Sequence, residues 1–155
     1  MMKVDPITLS VVRGILETTQ REMTLSLEKT SRSSVLNLAR DYSTSLFNAT
    51  PEMILQGQDI PIHLGSLMPA MKAVANFFSG EIHEGDLILH NDPAYNGSHI
   101  LDMCIYKPVF FEGKHVFWTV CKGHLTDVGG PVPASYNPEA TEIFAEGLRV
   151  PPIKL

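Results

Sequence analysis

Two short segments of this chain carry side chains that can bind a divalent metal ion. Residues 97–102 read Gly-Ser-His-Ile-Leu-Asp ahead of a strand-like run, and residues 122–127 read Lys-Gly-His-Leu-Thr-Asp where a second run ends. Imidazole and carboxylate are common metal ligands at neutral pH, and two imidazoles with one carboxylate are typical of a catalytic rather than a structural site. The sequence therefore predicts a metal site formed by His99, Asp102 and His124, which would polarise a carbonyl oxygen or hold an enolate.

Four further residues are expected to border this site. Asp127 follows His124 by three residues and is expected to orient a ligand or cap the Asp-Val-Gly-Gly turn, and a fourth metal ligand is the alternative. His90 and Asp92 lie in a loop that is expected to border the same cavity, and Gly123 would let the backbone approach a bound ligand. The alternative is that these side chains cap turns and bond to the backbone without binding any ion.

The other charged and imidazole side chains are expected to be structural. His63 ends an apolar segment, where a lone histidine is more often a satisfied core group than a ligand, and His83 and His115 suit surface or sheet positions. Arg40 and Asp41 are expected to form a structural charge pair, and the alternative is that these two residues reach the cavity.

A predicted hairpin must position the metal ligands. Its arms cover residues 103–111 and 114–122, with Glu112 and Gly113 between them. A two-residue loop would set Asp102 opposite Gly123, whereas a three-residue loop would set Asp102 opposite His124. Either register brings Asp102 and His124 close in space, and which way the side chains face depends on the register.

The remaining elements predict an α+β fold, in which a long N-terminal helix packs on antiparallel hairpins. An Asp cap and Pro6 begin that helix, and apolar residues at three-to-four spacing carry it to about Ser31. The other expected elements are a short helical piece to residue 38, a hairpin over 42–58, a helix over 67–78 that Ser66 caps and Gly80 closes, a strand over 86–90, a short helix over 139–146 that Gly147 stops, and a strand from 150.

Composition restricts the class of protein. The chain has 155 residues, 44% of them hydrophobic and 19% charged, which fits one globular domain over residues 1–155. A net charge of −5 without a basic stripe argues against nucleic acid as a partner. No signal peptide or membrane-spanning run is visible, so a soluble cytoplasmic protein with free, buried Cys104 and Cys121 is expected. The sequence contains no Walker loop, Gly-x-Gly-x-x-Gly, Cys-x-x-Cys or Gly-x-Ser-x-Gly motif.

Ordered motifs along nearly the whole chain resemble the amino-terminal part of the hydantoinase B family. That family includes the B subunit of N-methylhydantoinase, the matching half of 5-oxoprolinase and the large subunits of acetone and acetophenone carboxylases. The motifs are Ser31-Arg32-Ser33 with Asp41-Tyr42-Ser43, Ile60-Pro61-Ile62-His63-Leu64-Gly65-Ser66, Gly85-Asp86 before Asn91-Asp92-Pro93, Gly97-Ser98-His99-x-x-Asp102, His124-x-x-Asp127-x-Gly129-Gly130, and Glu142-Ile143-x-x-Glu146-Gly147-Leu148-Arg149-x-Pro151-Pro152.

The resemblance implies a divalent metal, zinc, manganese or iron, on His99, Asp102 and His124. It also implies a hetero-oligomer, in which a hydantoinase A-type subunit binds ATP with magnesium. Family members are several times longer than this chain, so another chain is expected to carry the rest of the hydantoinase B-like fold.

Three functions follow from this resemblance. Phe117-Trp118 and the segment after Gly130 look more like the ketone carboxylases, so a carboxylase subunit that activates a small ketone as its enolate is the first hypothesis. A subunit of an ATP-dependent cyclic-amide hydrolase is the alternative, and a non-catalytic assembly subunit is the third.

Overall fold

The structure, a computed structural model, describes residues 4–57, 60–135 and 137–155. Its centre is one antiparallel sheet of six strands in the order β2-β1-β5-β4-β3-β6. The strands are β1 (Tyr42–Asn48), β2 (Met53–Gln56), β3 (Ile88–His90), β4 (Asp102–Phe111), β5 (Lys114–His124) and β6 (Ile153–Lys154), and the helices are α1 (Pro6–Thr30), α2 (Ser34–Asn37) and α3 (Pro61–Phe77). This arrangement confirms the predicted α+β class, with its long N-terminal helix.

Helix α1 has the predicted limits because both of its ends are capped locally. The Asp5 carboxylate accepts a hydrogen bond of 2.9 Å from the Thr8 N–H, and the Ser31 N–H donates to the Leu27 carbonyl at the other end. None of its residues is buried. It contacts the sheet through polar groups, including a bond of 2.7 Å between the Thr24 and Thr44 hydroxyls.

Helix α3 begins six residues earlier than predicted. Pro61, rather than Leu67, starts it, because proline is favoured in the first turn, where its missing N–H leaves no hydrogen bond unmade. Ser66 therefore lies inside the helix, and its hydroxyl donates to the His63 carbonyl instead of capping the N-terminus. Gly80, with φ +83°, lies in the turn beyond the helix end.

The hydrophobic core lies between α3 and one face of the sheet. Strands β1, β3, β4 and β5 contribute large side chains that are almost completely buried, and α3 contributes one apolar stripe. The buried members are Phe47, Leu67, Met71, Val74, Ile88, Cys104, Tyr106, Trp118 and Val120. This core fixes the sheet from which the polar side chains of the candidate site project.

The β4–β5 hairpin has the two-residue turn but not the register that this turn alone would give. Glu112 and Gly113 form the turn, both with positive φ, as expected for the tight turns that match strand twist. A bulge then leaves Val116 without a partner, because Phe110 pairs with His115 and Val109 with Phe117. The extra residue shifts the pairing, so that Asp102 lies directly opposite His124.

The same shift separates the two cysteines in register. Cys104 lies opposite Lys122, and Cys121 lies opposite Ile105. Neither cysteine is in a disulfide, as predicted; Cys104 is buried as expected, whereas Cys121 is partly exposed. Burial raises the pKa of the Cys104 thiol to about 11, so this thiol is neutral and behaves as a core side chain.

The last third of the chain contains less helix than predicted. The expected helix over residues 139–146 is reduced to a single 3-10 turn, Ile143–Ala145. The Leu148 N–H donates to the Val128 carbonyl at 2.8 Å, so tertiary contacts override the local helical pattern. The predicted final strand is confirmed as β6, which pairs with β3. Across the described ranges, no helix combines the length and apolar character that crossing a membrane requires.

Candidate metal centre

The paired ends of β4 and β5 bring the three predicted ligands together. Donor atoms of His99, Asp102 and His124 all lie within 4.8 Å of one another. Asp102 Oδ1 is 3.1 Å from His124 Nδ1 and 3.6 Å from His99 Nε2. The Asp102 N–H donates to the His99 carbonyl at 2.9 Å, a turn that holds these two residues on one side of the strand end.

The separations of these donor atoms suit a divalent ion. Two ligand atoms at the corners of a tetrahedron with zinc bonds of about 2.05 Å lie about 3.4 Å apart. The observed separations of 3.1 and 3.6 Å from Asp102 Oδ1 lie on either side of that value. Two nitrogens and one oxygen also suit manganese or iron and leave further coordination positions open. The donor set fits the ion, and metal binding at these residues stays a prediction.

His63 and Asp41 extend the cluster, although the sequence analysis assigned both to structural roles. His63 Nε2 is 3.3 Å from Asp41 Oδ1 and 3.7 Å from Asp102 Oδ1. Asp41 Oδ2 is 4.0 Å from His124 Nδ1, while Arg40 bonds to Glu28 instead of to Asp41. The expected pairing of Arg40 with Asp41 is therefore not observed, and Asp41 lies beside His63 and His124 in the cluster.

His63 is the most buried imidazole of the cluster. Its side chain is buried, and its Nδ1 has no hydrogen-bond partner among the described residues. Burial, the largest influence, lowers the pKa of His63, which keeps the ring neutral near pH 7. The early start of α3 places His63 in the first helical turn and carries it to the sheet end.

Lys122 is a second residue whose role the sequence analysis missed. Its side chain is 1% exposed, and its Nζ lies 3.1 Å from Asp102 Oδ2. The same ammonium donates to the Ser66 hydroxyl at 2.6 Å and to the Ser98 hydroxyl at 2.5 Å. Alternation along β5 puts Lys122 and His124 on the same face, so both reach Asp102.

Asp102 is ionised despite its burial. Desolvation opposes the charge, but the Ser98 hydroxyl, which donates to Asp102 Oδ2 at 2.5 Å, and the Lys122 ammonium outweigh it, so the pKa of Asp102 lies below its ordinary value. An ionised carboxylate is the form that binds a metal. The cluster therefore offers a charged oxygen at neutral pH.

His90 and Asp92 belong to a separate cluster. His90 Nδ1 lies 3.3 Å from the Tyr106 hydroxyl, and His90 Nε2 lies 3.0 Å from the Asp92 carbonyl oxygen. The Asp92 carboxylate accepts two bonds of 2.8 and 2.9 Å from Arg149 Nη2, and one of 2.9 Å from the Ala94 N–H. These residues tie the β3 end to the C-terminal segment.

Asp127 forms a hydrogen bond within its own turn, and Gly123 lies against α2. Asp127 Oδ1 accepts a bond of 2.7 Å from the Gly129 N–H, which is the turn role that the sequence suggested. A Cβ at Gly123 would lie 3.1 Å from Leu36 Cδ2, so the glycine lets α2 pack closely against β5. A role of Gly123 beside a bound ligand stays a prediction. Gly97 accommodates backbone, because a Cβ there would lie 2.5 Å from the Asn91 carbonyl oxygen.

A cavity of about 480 Å³ opens beside the two candidate histidine ligands. Its size is within the usual range for small organic ligands, and much of its wall is apolar. It is lined by His99, Ile100, Leu101, His124, Ala134, Asn137 and Glu146. A larger polar cleft of about 640 Å³ between α1 and the β1–β2 edge contains none of the three candidate ligands, so the smaller cavity is the candidate substrate site.

This chain is similar in sequence and in structure to part of a caprolactamase. The caprolactamase subunit beta of Pseudomonas jessenii is 77% identical over 155 residues, which are 100% of this chain and 27% of that protein. The crystal structure of the ATP-dependent caprolactamase from the same organism superposes with a TM-score of 0.93 over 99% of this chain and 27% of that one. This chain thus spans about a quarter of the relative's length.

Two more distant proteins are similar to this chain, one in sequence and one in fold. The 5-oxoprolinase PfmaA of Pestalotiopsis fici is 31% identical over 153 residues, 99% of this chain and 12% of that protein. A nucleotide-free acetone carboxylase structure, 23% identical, superposes with a TM-score of 0.88 over 97% of this chain and 20% of that one, a likeness of fold. The family model described as hydantoinase B/oxoprolinase matches residues 5–155. The predicted family is confirmed, and the chain belongs to the hydantoinase B/oxoprolinase family.

Proposed function

We propose that this chain is part of the metal-binding subunit of an ATP-dependent cyclic-amide hydrolase whose substrate is a lactam. The observation that carries this proposal is the metal-ligand cluster at the wall of a largely apolar cavity, in a chain 77% identical to a caprolactamase subunit. Identity to the acetone carboxylase is 23%. The comparison therefore favours the hydrolase, the second hypothesis of the sequence analysis, over the ketone carboxylase.

The cavity offers complementary surfaces to the two parts of a lactam. Its apolar residues, Ile100, Leu101 and Ala134, suit the ring methylenes, and His99 and His124 lie at the side where the amide would sit. A divalent ion held by His99, Asp102 and His124 would supply Lewis acidity to the amide carbonyl or to water.

The charges of the cluster favour a divalent cation. Asp41 and Asp102 contribute two carboxylates, Lys122 contributes one ammonium, and the imidazoles are metal ligands only when neutral. The excess of one negative charge attracts a cation to the cluster. His63, which faces both carboxylates, is proposed to hold them in place behind the candidate ligands.

ATP is proposed to bind outside this chain. The relatives include ATP-dependent enzymes, and the sequence here has no phosphate-binding loop. A hydantoinase A-type partner subunit with magnesium is the proposed ATP site, and further hydantoinase B-like polypeptide is proposed to complete the fold of residues 1–155. Use of ATP would suit the cytoplasm.

Product analysis tests the proposed reaction. The enzyme, purified with the subunits that accompany it, is incubated with ε-caprolactam, ATP, magnesium and ¹⁴C-bicarbonate. We expect the amide C–N bond to break, with water oxygen added to the carbonyl carbon and a proton to nitrogen, while ATP is hydrolysed. The amino acid product should carry no label. Labelled carboxylic acid from acetone or acetophenone, without lactam turnover, would establish the carboxylase instead.

Two histidine variants test the role of the cluster. His124→Ala is expected to lose the divalent metal and at least about 100-fold in activity, more than the loss typical of a residue behind the ligands. His83→Ala, at an exposed position, is the matched control and should retain both. Unchanged metal content and activity in both His99→Ala and His124→Ala would instead favour the non-catalytic assembly subunit.

A further inference from the structure

Lys122 is buried, and it has no direct role in the proposed chemistry. Its Nζ has three acceptors, the hydroxyls of Ser66 and Ser98 and the carboxylate of Asp102, which match the three N–H donors of an ammonium group. We propose that Lys122 is a positioning residue that orients Asp102 so that a single carboxylate oxygen is offered to the metal. This inference rests on the metal centre of the proposed function.

The two oxygens of Asp102 have separate partners. Oδ2 accepts from Lys122 and Ser98, whereas Oδ1 faces His63, His99 and His124 at 3.7, 3.6 and 3.1 Å. A partial rotation of the carboxylate would carry Oδ2 away from Lys122 and Oδ1 away from the imidazoles, so the contacts of Lys122 fix the plane of the carboxylate. Lys122 thus makes the oxygens inequivalent before any ion arrives, and groups behind a ligand commonly fix its geometry in this way.

Burial excludes a more direct role for Lys122. Its side chain is 1% exposed and its donors are all used, whereas the His99 side chain is 52% exposed and faces the cavity. The ammonium also compensates the Asp102 carboxylate, which is 2% exposed and would otherwise be a buried charge among imidazoles. Lys122 therefore acts through Asp102 and not on the substrate.

A second lysine provides a matched control. Lys154 Nζ lies 2.8 Å from Asp86 Oδ2 and also bonds to the Glu81 carbonyl. Neither Lys154 nor Asp86 belongs to the candidate metal cluster. Lys→Met at each position removes the charge and keeps most of the apolar stem.

Cobalt binding to the purified enzyme, with its accompanying subunits, tests the inference. The d–d absorption of Co²⁺ reports both affinity and the number and arrangement of its ligands. Lys122→Met is expected to weaken Co²⁺ binding by about 10- to 100-fold and to alter the spectrum. Lys154→Met is expected to keep wild-type affinity and spectrum. Wild-type behaviour of Lys122→Met in both readouts would overturn the inference.

Ser66→Ala gives an independent test if Lys122→Met does not fold. Ser66 donates to its own helix and accepts from Lys122, and in the described part of the chain its hydroxyl has no hydrogen bond to any of the three candidate ligands. A loss of Co²⁺ affinity of less than about tenfold, with an altered spectrum, is expected because the effect must pass through Lys122. An unchanged spectrum and affinity would contradict the inference alone. Absence of Co²⁺ binding by wild-type enzyme would overturn the metal centre and this inference together.

Discussion

Two aspartates, Asp92 and Asp102, are buried near strand ends of the same sheet, and each is paired with a cation. Asp92 accepts from Arg149 on both oxygens and from the Ala94 N–H. Asp102 accepts from Lys122 and Ser98 on Oδ2, whereas its Oδ1 faces three imidazoles, of which His124 Nδ1 lies within hydrogen-bonding distance at 3.1 Å. The first carboxylate is held on both oxygens by one guanidinium, and the second presents one oxygen to imidazoles, which can themselves bind a metal.

The histidines of the two clusters differ in the same way. Both ring nitrogens of His90 have partners within the fold. His63 Nδ1 has none among the described residues, and the His99 side chain is half exposed beside a cavity. Because buried polar groups are normally paired, a closed cluster indicates a structural role, and a surplus of donor atoms around one oxygen indicates a binding role. Substitutions in each cluster test this contrast between the closed Asp92 cluster and the open Asp102 cluster.

Gly97→Ala should have the largest effect on stability, because Gly97 connects the two clusters. Its N–H donates to the Asp92 carbonyl at 3.1 Å, and a Cβ would lie 2.5 Å from the Asn91 carbonyl oxygen. We expect a loss of about 3 kcal/mol in the free energy of unfolding, measured by urea titration, together with weaker metal binding through the displaced His99 loop.

Gly123→Ala is the control for that substitution. The nearest atom to its new Cβ would be Leu36 Cδ2 at 3.1 Å, the end of a flexible side chain. We expect a loss below about 1 kcal/mol. Equal losses for the two alanine variants would contradict the view that backbone contact at Gly97 joins the clusters.

Arg149→Met should destabilise the fold without affecting metal binding. Its bidentate bonds to Asp92 are charge-assisted and partly buried, so we expect a loss of about 2 kcal/mol in urea unfolding. Arg13→Met is the control, because the Arg13–Glu17 pair is exposed and should contribute little to stability. Loss of metal in Arg149→Met would contradict this separation and indicate that the two clusters form a single functional site.

The smallest effect concerns the pH dependence of His90. Burial lowers the pKa of His90 against the opposing influence of Asp92, while Lys122 lowers it further and the neutral Tyr106 hydroxyl faces Nδ1. Since the unfolded state then binds the proton more readily, stability falls as pH drops below about 6.5, by at most about 0.8 kcal/mol at pH 6. His90→Gln should flatten this part of the curve. Superimposable pH curves of urea midpoints for the two proteins would refute this assignment.

The sequence predicted the parts of the site that depend on local structure. His99 and Asp102 lie in one turn, and a hairpin returns the chain to His124, so these three could be grouped before any fold was known. The caps of α1 were equally local.

Long-range packing decided the rest. Asp41 reaches His124 because β1 pairs with β5, and Lys122 meets Asp102 because one bulge at Val116 shifts the hairpin register. No local sequence pattern predicted the bulge at Val116. The sequence suggested that Asp92 borders the site, because its actual partner, Arg149, lies 57 residues further along the chain and no local pattern connects the two.

One matched pair of isosteric substitutions tests the central contrast most directly. Metal content per chain is measured by elemental analysis in the wild-type enzyme, Asp102→Asn and Asp92→Asn, with thermal unfolding as the check on folding. We expect about one divalent ion per chain in the wild type and in Asp92→Asn, and almost none in Asp102→Asn. Equal metal content in the two variants, whether retained or lost, would contradict this expectation.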